Sequence, residues 1–263
     1  MNSRQPNRSL FLLLLGMLGA VAACGAVSAE PVTIDLKGER ADGMIYFEHQ
    51  RLYGGISLAA GDLDGNGVDE IIVGAPLTEG ERGRIHIFFN LSLDQAPVIW
   101  DLAGLPADVQ VATIIGDDRS DWFGYSVAVG DYNGDGRDDL AVGAPNASSH
   151  PFNSRHLAGI AYVFLAGQAA LTPGVHDAGD AWIALHGAGE NDGVGTELAF
   201  GDLSGDGIDD LVAAARFGNK KKTRKYLDRV YVSYGAPDHP AGAVVDFEDY
   251  SDLFLHNVHS RQY

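Results

Sequence analysis

The sequence predicts an all-β chain folded as a β-propeller. Three observations carry the prediction: a ten-residue string that recurs three times, strand-like runs flanking each copy, and 34 glycines among 263 residues of 46% hydrophobic content. Glycine at this level is costly inside helices and suits turns. The three copies align without gaps. They are Gly61-Asp62-Leu63-Asp64-Gly65-Asn66-Gly67-Val68-Asp69-Glu70, Gly130-Asp131-Tyr132-Asn133-Gly134-Asp135-Gly136-Arg137-Asp138-Asp139 and Gly201-Asp202-Leu203-Ser204-Gly205-Asp206-Gly207-Ile208-Asp209-Asp210. Their first acids recur at intervals of 69 and 71 residues, and a fixed long period marks a repeat architecture.

At the N-terminus, Arg4 and Arg8 precede an apolar run from Leu10 that ends in small residues, so residues 1–29 read as a targeting segment and 30–263 as the folded body. Val27-Ser28-Ala29 offers small side chains to a signal peptidase; Val21-Ala22-Ala23-Cys24 competes as a bacterial-type lipobox that would place a lipid anchor on Cys24. An uncleaved anchor over Leu10 to Val27 is the third reading. Each places the body in the periplasm, at the outer membrane or outside the cell. Cys24 is the only cysteine, so the body holds no disulfide.

The flanks of the string repeat too. Tyr53-Gly54-Gly55-Ile56-Ser57, Trp122-Phe123-Gly124-Tyr125-Ser126 and the weaker Gly193-Val194-Gly195-Thr196-Glu197 precede it. Ile71-Ile72-Val73-Gly74-Ala75-Pro76, Leu140-Ala141-Val142-Gly143-Ala144-Pro145 and the divergent Leu211-Val212-Ala213-Ala214-Ala215-Arg216 follow. Short β-branched or aromatic runs come next, from Arg84 to Phe89, Ala161 to Phe164 and Arg229 to Ser233. Each unit thus supplies about four short antiparallel strands, which is a propeller blade. A sandwich predicts no such strict repeat, and solenoid coils are much shorter. Residues 44–53 are echoed at 254–263, an offset of 210, or three repeats. The reading is therefore three blades and the start of a fourth, within a longer chain that supplies the remaining blades.

Each string sets oxygen-bearing side chains at positions 1, 3, 5 and 9 and glycine at position 6, a calcium-loop pattern in which alternate residues turn inward. The candidate ligands are Asp62, Asp64, Asn66 and Glu70; Asp131, Asn133, Asp135 and Asp139; and Asp202, Ser204, Asp206 and Asp210. Val68, Arg137 and Ile208 at position 7 would offer backbone carbonyls, with free choice of side chain. Three carboxylates per loop repel one another until a cation enters. All-oxygen ligation excludes zinc and copper and favours Ca²⁺ over Mg²⁺. The third loop should bind most weakly, because Ser204 is short and neutral. Asp69, Asp138 and Asp209 at position 8 are expected to point outward or to bond the loop backbone. Turn formation alone needs four residues and leaves the recurrence of acids at fixed positions unexplained.

The combination of Phe123-Gly124, the loop from Asp131 to Asp139 and Gly143-Ala144-Pro145 resembles the FG-GAP repeat of integrin α-subunit propellers and their bacterial relatives. The match is full in the second repeat. The first departs at Tyr53-Gly54-Gly55, and the third at Ala214-Ala215-Arg216. The resemblance implies a seven-bladed ring with calcium loops on one face and ligand recognition on the other, and a role in extracellular adhesion, recognition or scaffolding with a protein or glycan partner.

Other features absorb less. A net charge of −18 makes nucleic acid and anionic membranes poor partners. Neither Ser57 nor Ser126 sits in a nucleophile elbow, and neither an H-E-x-x-H motif nor a Cys/His zinc set occurs. The chain therefore reads as non-catalytic; an accessory propeller of a larger hydrolase or lyase, such as a phospholipase D-like or polysaccharide-degrading enzyme, is the alternative. The His256/His259 pair reads as structural. The basic run Lys220-Lys221-Lys222-Thr223-Arg224-Lys225 reads as a solvated hairpin, with an anionic polysaccharide or lipid contact as its alternative. Asn90-Leu91-Ser92 and Asn146-Ala147-Ser148 match glycosylation acceptors.

Overall fold

The computed structural model describes residues 43–46, 54–78, 80–91, 98–101, 105, 109–149, 155–216, 219–220, 225–226, 229–238, 243–246 and 253–256. The expected targeting segment, the anchor at Cys24 and His259 lie outside them. Every extended element among the described residues is a β-strand. In chain order, β1 (Gly43–Tyr46) precedes a first repeat of β2 (Ser57–Gly61), β3 (Glu70–Ala75), β4 (Arg84–Phe89), β5 (Val98–Asp101) and β6 (Gln110–Ile115). The second repeat holds β7 (Ser126–Gly130), β8 (Asp139–Ala144), β9 (Ile160–Phe164), β10 (Gly174–Asp177) and β11 (Ile183–His186). The third holds β12 (Val194–Gly201), β13 (Asp210–Ala215), β14 (Asn219–Lys220), β15 (Lys225–Tyr226), β16 (Arg229–Ser233), β17 (Ala243–Asp246) and β18 (Leu253–His256).

Each repeat folds into one blade of antiparallel neighbours. The orders are β2-β3-β4-β6, β7-β8-β9-β11 and β12-β13-β16-β18. The strand skipped in each blade joins the blade before it. Strand β10 lies parallel on β6, and β17 lies parallel on β11. Strand β5 pairs with β1 in the same parallel sense, which gives β1 the place of an outer strand. The 210-residue echo thus relates two outer strands, since β1 starts at Gly43 and β18 at Leu253. A four-strand count per unit misses this donated fifth strand, because its partner belongs to another repeat. The basic run forms a hairpin at its ends, with Lys220 opposite Lys225.

The core lies between blades. One layer packs Ile72, Ile85, Ile114 and Phe123 with Leu140, Val142 and Phe164; a second packs Ala141, Val163 and Leu185 with Leu211, Ala213 and Tyr231. Strand β8 is buried along its whole length, because its residues face the two core layers alternately. Phe123 is fully buried and meets Tyr162 and Phe164 edge-on at centroid distances of 5.5 and 6.4 Å. Gly74 and Gly143 let the next blade approach. A Cβ on either would lie 2.1 Å from the carbonyl oxygen of Gly124 or Gly195. Ser57 Oγ and Ser126 Oγ donate to those same carbonyls at 2.8 and 2.7 Å. The two halves of the repeated motif, far apart in sequence, therefore meet across a blade boundary.

Candidate metal centre

The three loops join the first two strands of each blade, so all three lie at the same end of their sheets. Glycines at positions 4 and 6 take left-handed φ in every copy, from 71° to 90°, and this folds the backbone around the position-1 carboxylate. Gly65, Asn66 and Gly67 donate their N–H groups to Asp62 at 2.8 to 2.9 Å. Asp135 and Gly136 do the same to Asp131 at 3.0 and 2.8 Å. Gly205, Asp206 and Gly207 donate to Asp202 at 2.6 to 3.1 Å. Position 1 is thereby fixed, and the Gly207 N–H in particular holds Asp202 below the usual carboxylate pKa.

Positions 3 and 5 stay at the surface. Asp64 receives Asn66 N and Nδ2 at 3.0 and 2.9 Å, and Asn133 receives Asp135 N at 2.9 Å. Ser204 reaches Asp202 only at 3.5 Å, and Asp206 receives Ile208 N at 2.9 Å. Arg137 Nη2 pairs with Asp135 at 3.1 Å; against the burial that would raise it, this contact and Asn133 lower the Asp135 pKa. Position 7 is less free than its sequence suggests. Arg137 and Ile208 cover the position-4 glycines of the preceding loops, where a Cβ on Gly65 or Gly134 would come within 2.9 or 3.0 Å of them.

Position 9 is buried in all three copies. Its carboxylate takes the N–H of loop residues 2 and 3. Asp139 Oδ2 accepts from Tyr132 and Asn133, and Asp210 Oδ2 accepts from Leu203 and Ser204. The other oxygen ties the loop to the end of the third strand, through Ala166 N at 2.7 Å and Gly235 N at 3.0 Å. The longer Glu70 differs. Its Oε2 accepts Leu63 N at 2.9 Å, while Oε1 is buried with no hydrogen-bond partner among the described residues. Burial raises the pKa of both Glu70 and Asp139 to about 7. One oxygen from each of Asp62, Asp64 and Glu70 falls within 4.8 Å of the others. Such an all-oxygen cluster with an orphaned buried acceptor fits a hard divalent cation.

Of the two expectations for position 8, pointing outward or bonding loop backbone, Asp138 and Asp209 follow the second, on another blade's loop. Asp138 and Asp209 bond the backbone of the preceding blade's loop, at Asp62 and Asp131 respectively. Sequence reasoning also missed the opposite end of the sheets, where the connection into β7 meets that between β3 and β4. Trp122 holds φ 60°, where the third repeat has Gly193 at 65°. Its N–H bonds Glu81 O at 3.1 Å, its indole N–H bonds Glu81 Oε2 at 3.2 Å, and its ring stacks on Tyr125 at 6.0 Å. A bulky residue in a glycine's conformation was readable as the departure of Trp122 from Gly193.

Comparison with known proteins agrees with this geometry. The chain matches the FG-GAP repeat over residues 54–88, 123–164 and 194–233, which are the strand-loop-strand cores of the three blades. It is 31% identical to integrin alpha-IIb of Homo sapiens over 192 residues, covering 72% of this chain and 16% of that protein. Integrin alpha-8 of Gallus gallus is 28% identical over 201 residues, covering 76% and 17%, and integrin alpha pat-2 of Caenorhabditis elegans 28% over 202 residues, covering 73% and 14%. The chain thus spans about a sixth of the length of these curated relatives. Three blades, their loops and these matches together place the chain in the FG-GAP repeat, integrin α-like β-propeller family.

Proposed function

We propose that the chain is an extracellular or cell-surface module that binds Ca²⁺ in its three loops and serves adhesion or recognition without catalysis. The orphaned Glu70 Oε1 beside Asp62 and Asp64 is the observation that carries the metal assignment, since a buried lone carboxylate oxygen calls for a cation or a proton. Asp62, Asp64, Asn66 and Glu70 would hold the ion in the first loop, with Val68 offering its carbonyl; the matching residues serve the other two. A bound ion would neutralise the loop carboxylates and make each loop a rigid corner of its blade. Calcium suits these flexible, carboxylate-rich sites better than magnesium, and extracellular modules bind it at ~10⁻⁴–10⁻³ M. Recognition of a protein or glycan would fall to the other end of the blades, where the Trp122–Tyr125 pair and Glu81 form an aromatic surface rimmed by acid.

Calcium titration of the purified chain, followed by thermal unfolding, tests the metal assignment. Saturating Ca²⁺ should raise the melting temperature, and Asp131→Ala with Asp135→Ala should remove part of the gain. A melting temperature that responds to neither calcium nor chelator would overturn it.

A further inference from the structure

Two carboxylates at position 8 lie between the loops rather than within them. Asp138 Oδ2 accepts Asp62 N at 2.9 Å, and Asp138 N donates to Asp62 O at 3.3 Å. Asp209 repeats the arrangement on Asp131, at 3.1 and 3.0 Å. Both backbone groups of a position-1 residue are thus held by one residue of the next blade. The glycine before position 1 makes room for it: a Cβ on Gly61 would lie 2.7 Å from Asp138 Oδ2, and one on Gly130 would lie 2.7 Å from Asp209 Oδ2. Position 7 adds a second point of contact, with Arg137 over Gly65 and Ile208 over Gly134. The stretch that carries the ligands at positions 1, 3 and 5 is therefore held by its neighbour at positions 1 and 4.

We infer that Asp138 and Asp209 are positioning residues, each of which sets the calcium affinity of the loop in the preceding blade and not that of its own. The inference rests on the metal-binding reading above. Each carboxylate holds the peptide from which a position-1 ligand projects, and partners that orient metal ligands in this way are commonly worth 10- to 100-fold in affinity. The third loop lacks the device among the described residues. Gly201 and Gly205 face open space, where a Cβ would meet nothing within 4 Å. Asp69, exposed on the first blade, clamps none of the three loops.

The test follows each loop separately by amide NMR during calcium titration, using Gly67, Gly136 and Gly207, whose N–H groups bond the position-1 carboxylates at 2.8, 2.8 and 3.0 Å. Asp209→Ala should raise the calcium midpoint read at Gly136 by about tenfold while that at Gly67 stays put, which also shows that the variant is folded. Asp138→Ala should do the same at Gly67 and leave Gly207 unchanged. Asp209→Asn, which keeps an acceptor oxygen and loses the charge, should restore most of the affinity at Gly136. An unchanged Gly136 midpoint in Asp209→Ala, or an Asn variant as weak as the Ala variant, overturns the inference. Hydrogen exchange at the Asp62 and Asp131 amides, measured without metal, separates it from the metal assignment. Exposure of Asp131 N–H in Asp209→Ala supports the clamp even in a chain that binds no calcium, and unaltered protection there refutes it.

Discussion

Asp192, only 2% exposed in the connection leading into β12, accepts from Arg229 Nη1 and from Tyr231 OH, both at 2.7 Å. The pair ties that connection to β16. A buried ion pair adds little net stability over apolar residues, but removing one partner strands the other's charge. Asp192→Ala is therefore expected to cost about 3–5 kcal/mol in urea unfolding, and Asp192→Ala with Arg229→Met clearly less. His86 on β4 is 4% exposed, with Nδ1 3.0 Å from Thr113 Oγ1. Burial, with a smaller effect from Arg84, lowers its pKa to about 4. The unfolded chain takes up this proton near the ordinary value of about 6.5, whereas the fold resists it until about pH 4. Its contribution is thus complete above pH 6.5 and lost as pH falls towards 4, by up to ~3 kcal/mol. His86→Gln should flatten that stretch of the urea-midpoint curve against pH; an unchanged slope would show that other groups set it.

Within the loops, Glu70 and Asp139 titrate in the opposite sense. Burial raises each to about 7, so the metal-free fold prefers them protonated, and the stability this gives is present at low pH and lost as pH rises through 7. Calcium requires the ionised form. Its affinity for the first two loops should fall as pH drops below 7, while the metal-free chain gains stability from the same protonations; calorimetric titrations at pH 8 and pH 6 would show the first, and equal affinities would contradict the raised pKa of these carboxylates. The positions of the oxygens at 1, 3, 5 and 9 were legible in the sequence because a loop is local and its spacing survives folding. So were the strands, with β4 and β16 ending where their β-branched runs end. The second duty of position 9 was not, since Ala166 and Gly235 lie 27 and 25 residues away at the end of another strand. Position 8 showed three acids in a row of repeats, yet the direction of Asp138 is set by a partner 76 residues distant. Local spacing holds no information about a contact made by blade stacking.

Stacking also decides which glycines the molecule tolerates losing. Gly74 and Gly143 stand at the same place in successive blades, and the third repeat has Ala214 there. On Gly143 a Cβ would lie 2.1 Å from Gly195 O and 2.3 Å from Ser126 Oγ, whereas Ala214 is half-buried. The same third blade has Glu197 where the others carry the serine that donates across the boundary. Gly143→Ala must therefore push the second and third blades apart or break the Ser126–Gly195 hydrogen bond, because the obstructing atom belongs to the backbone and cannot rotate away. Overpacking of this kind costs about 1–3 kcal/mol, and the lost bond adds about 1 more. Ala214→Gly changes only backbone freedom and should cost about 1 kcal/mol or less. Hydrogen exchange distinguishes the two on the scale of the whole molecule. In Gly143→Ala the amides of β8 and β12 should lose protection together, as the boundary opens, while β3 and β4 keep theirs. Loss confined to β8 would mean that the blades stand independently, and that the glycine serves its own strand rather than the stack.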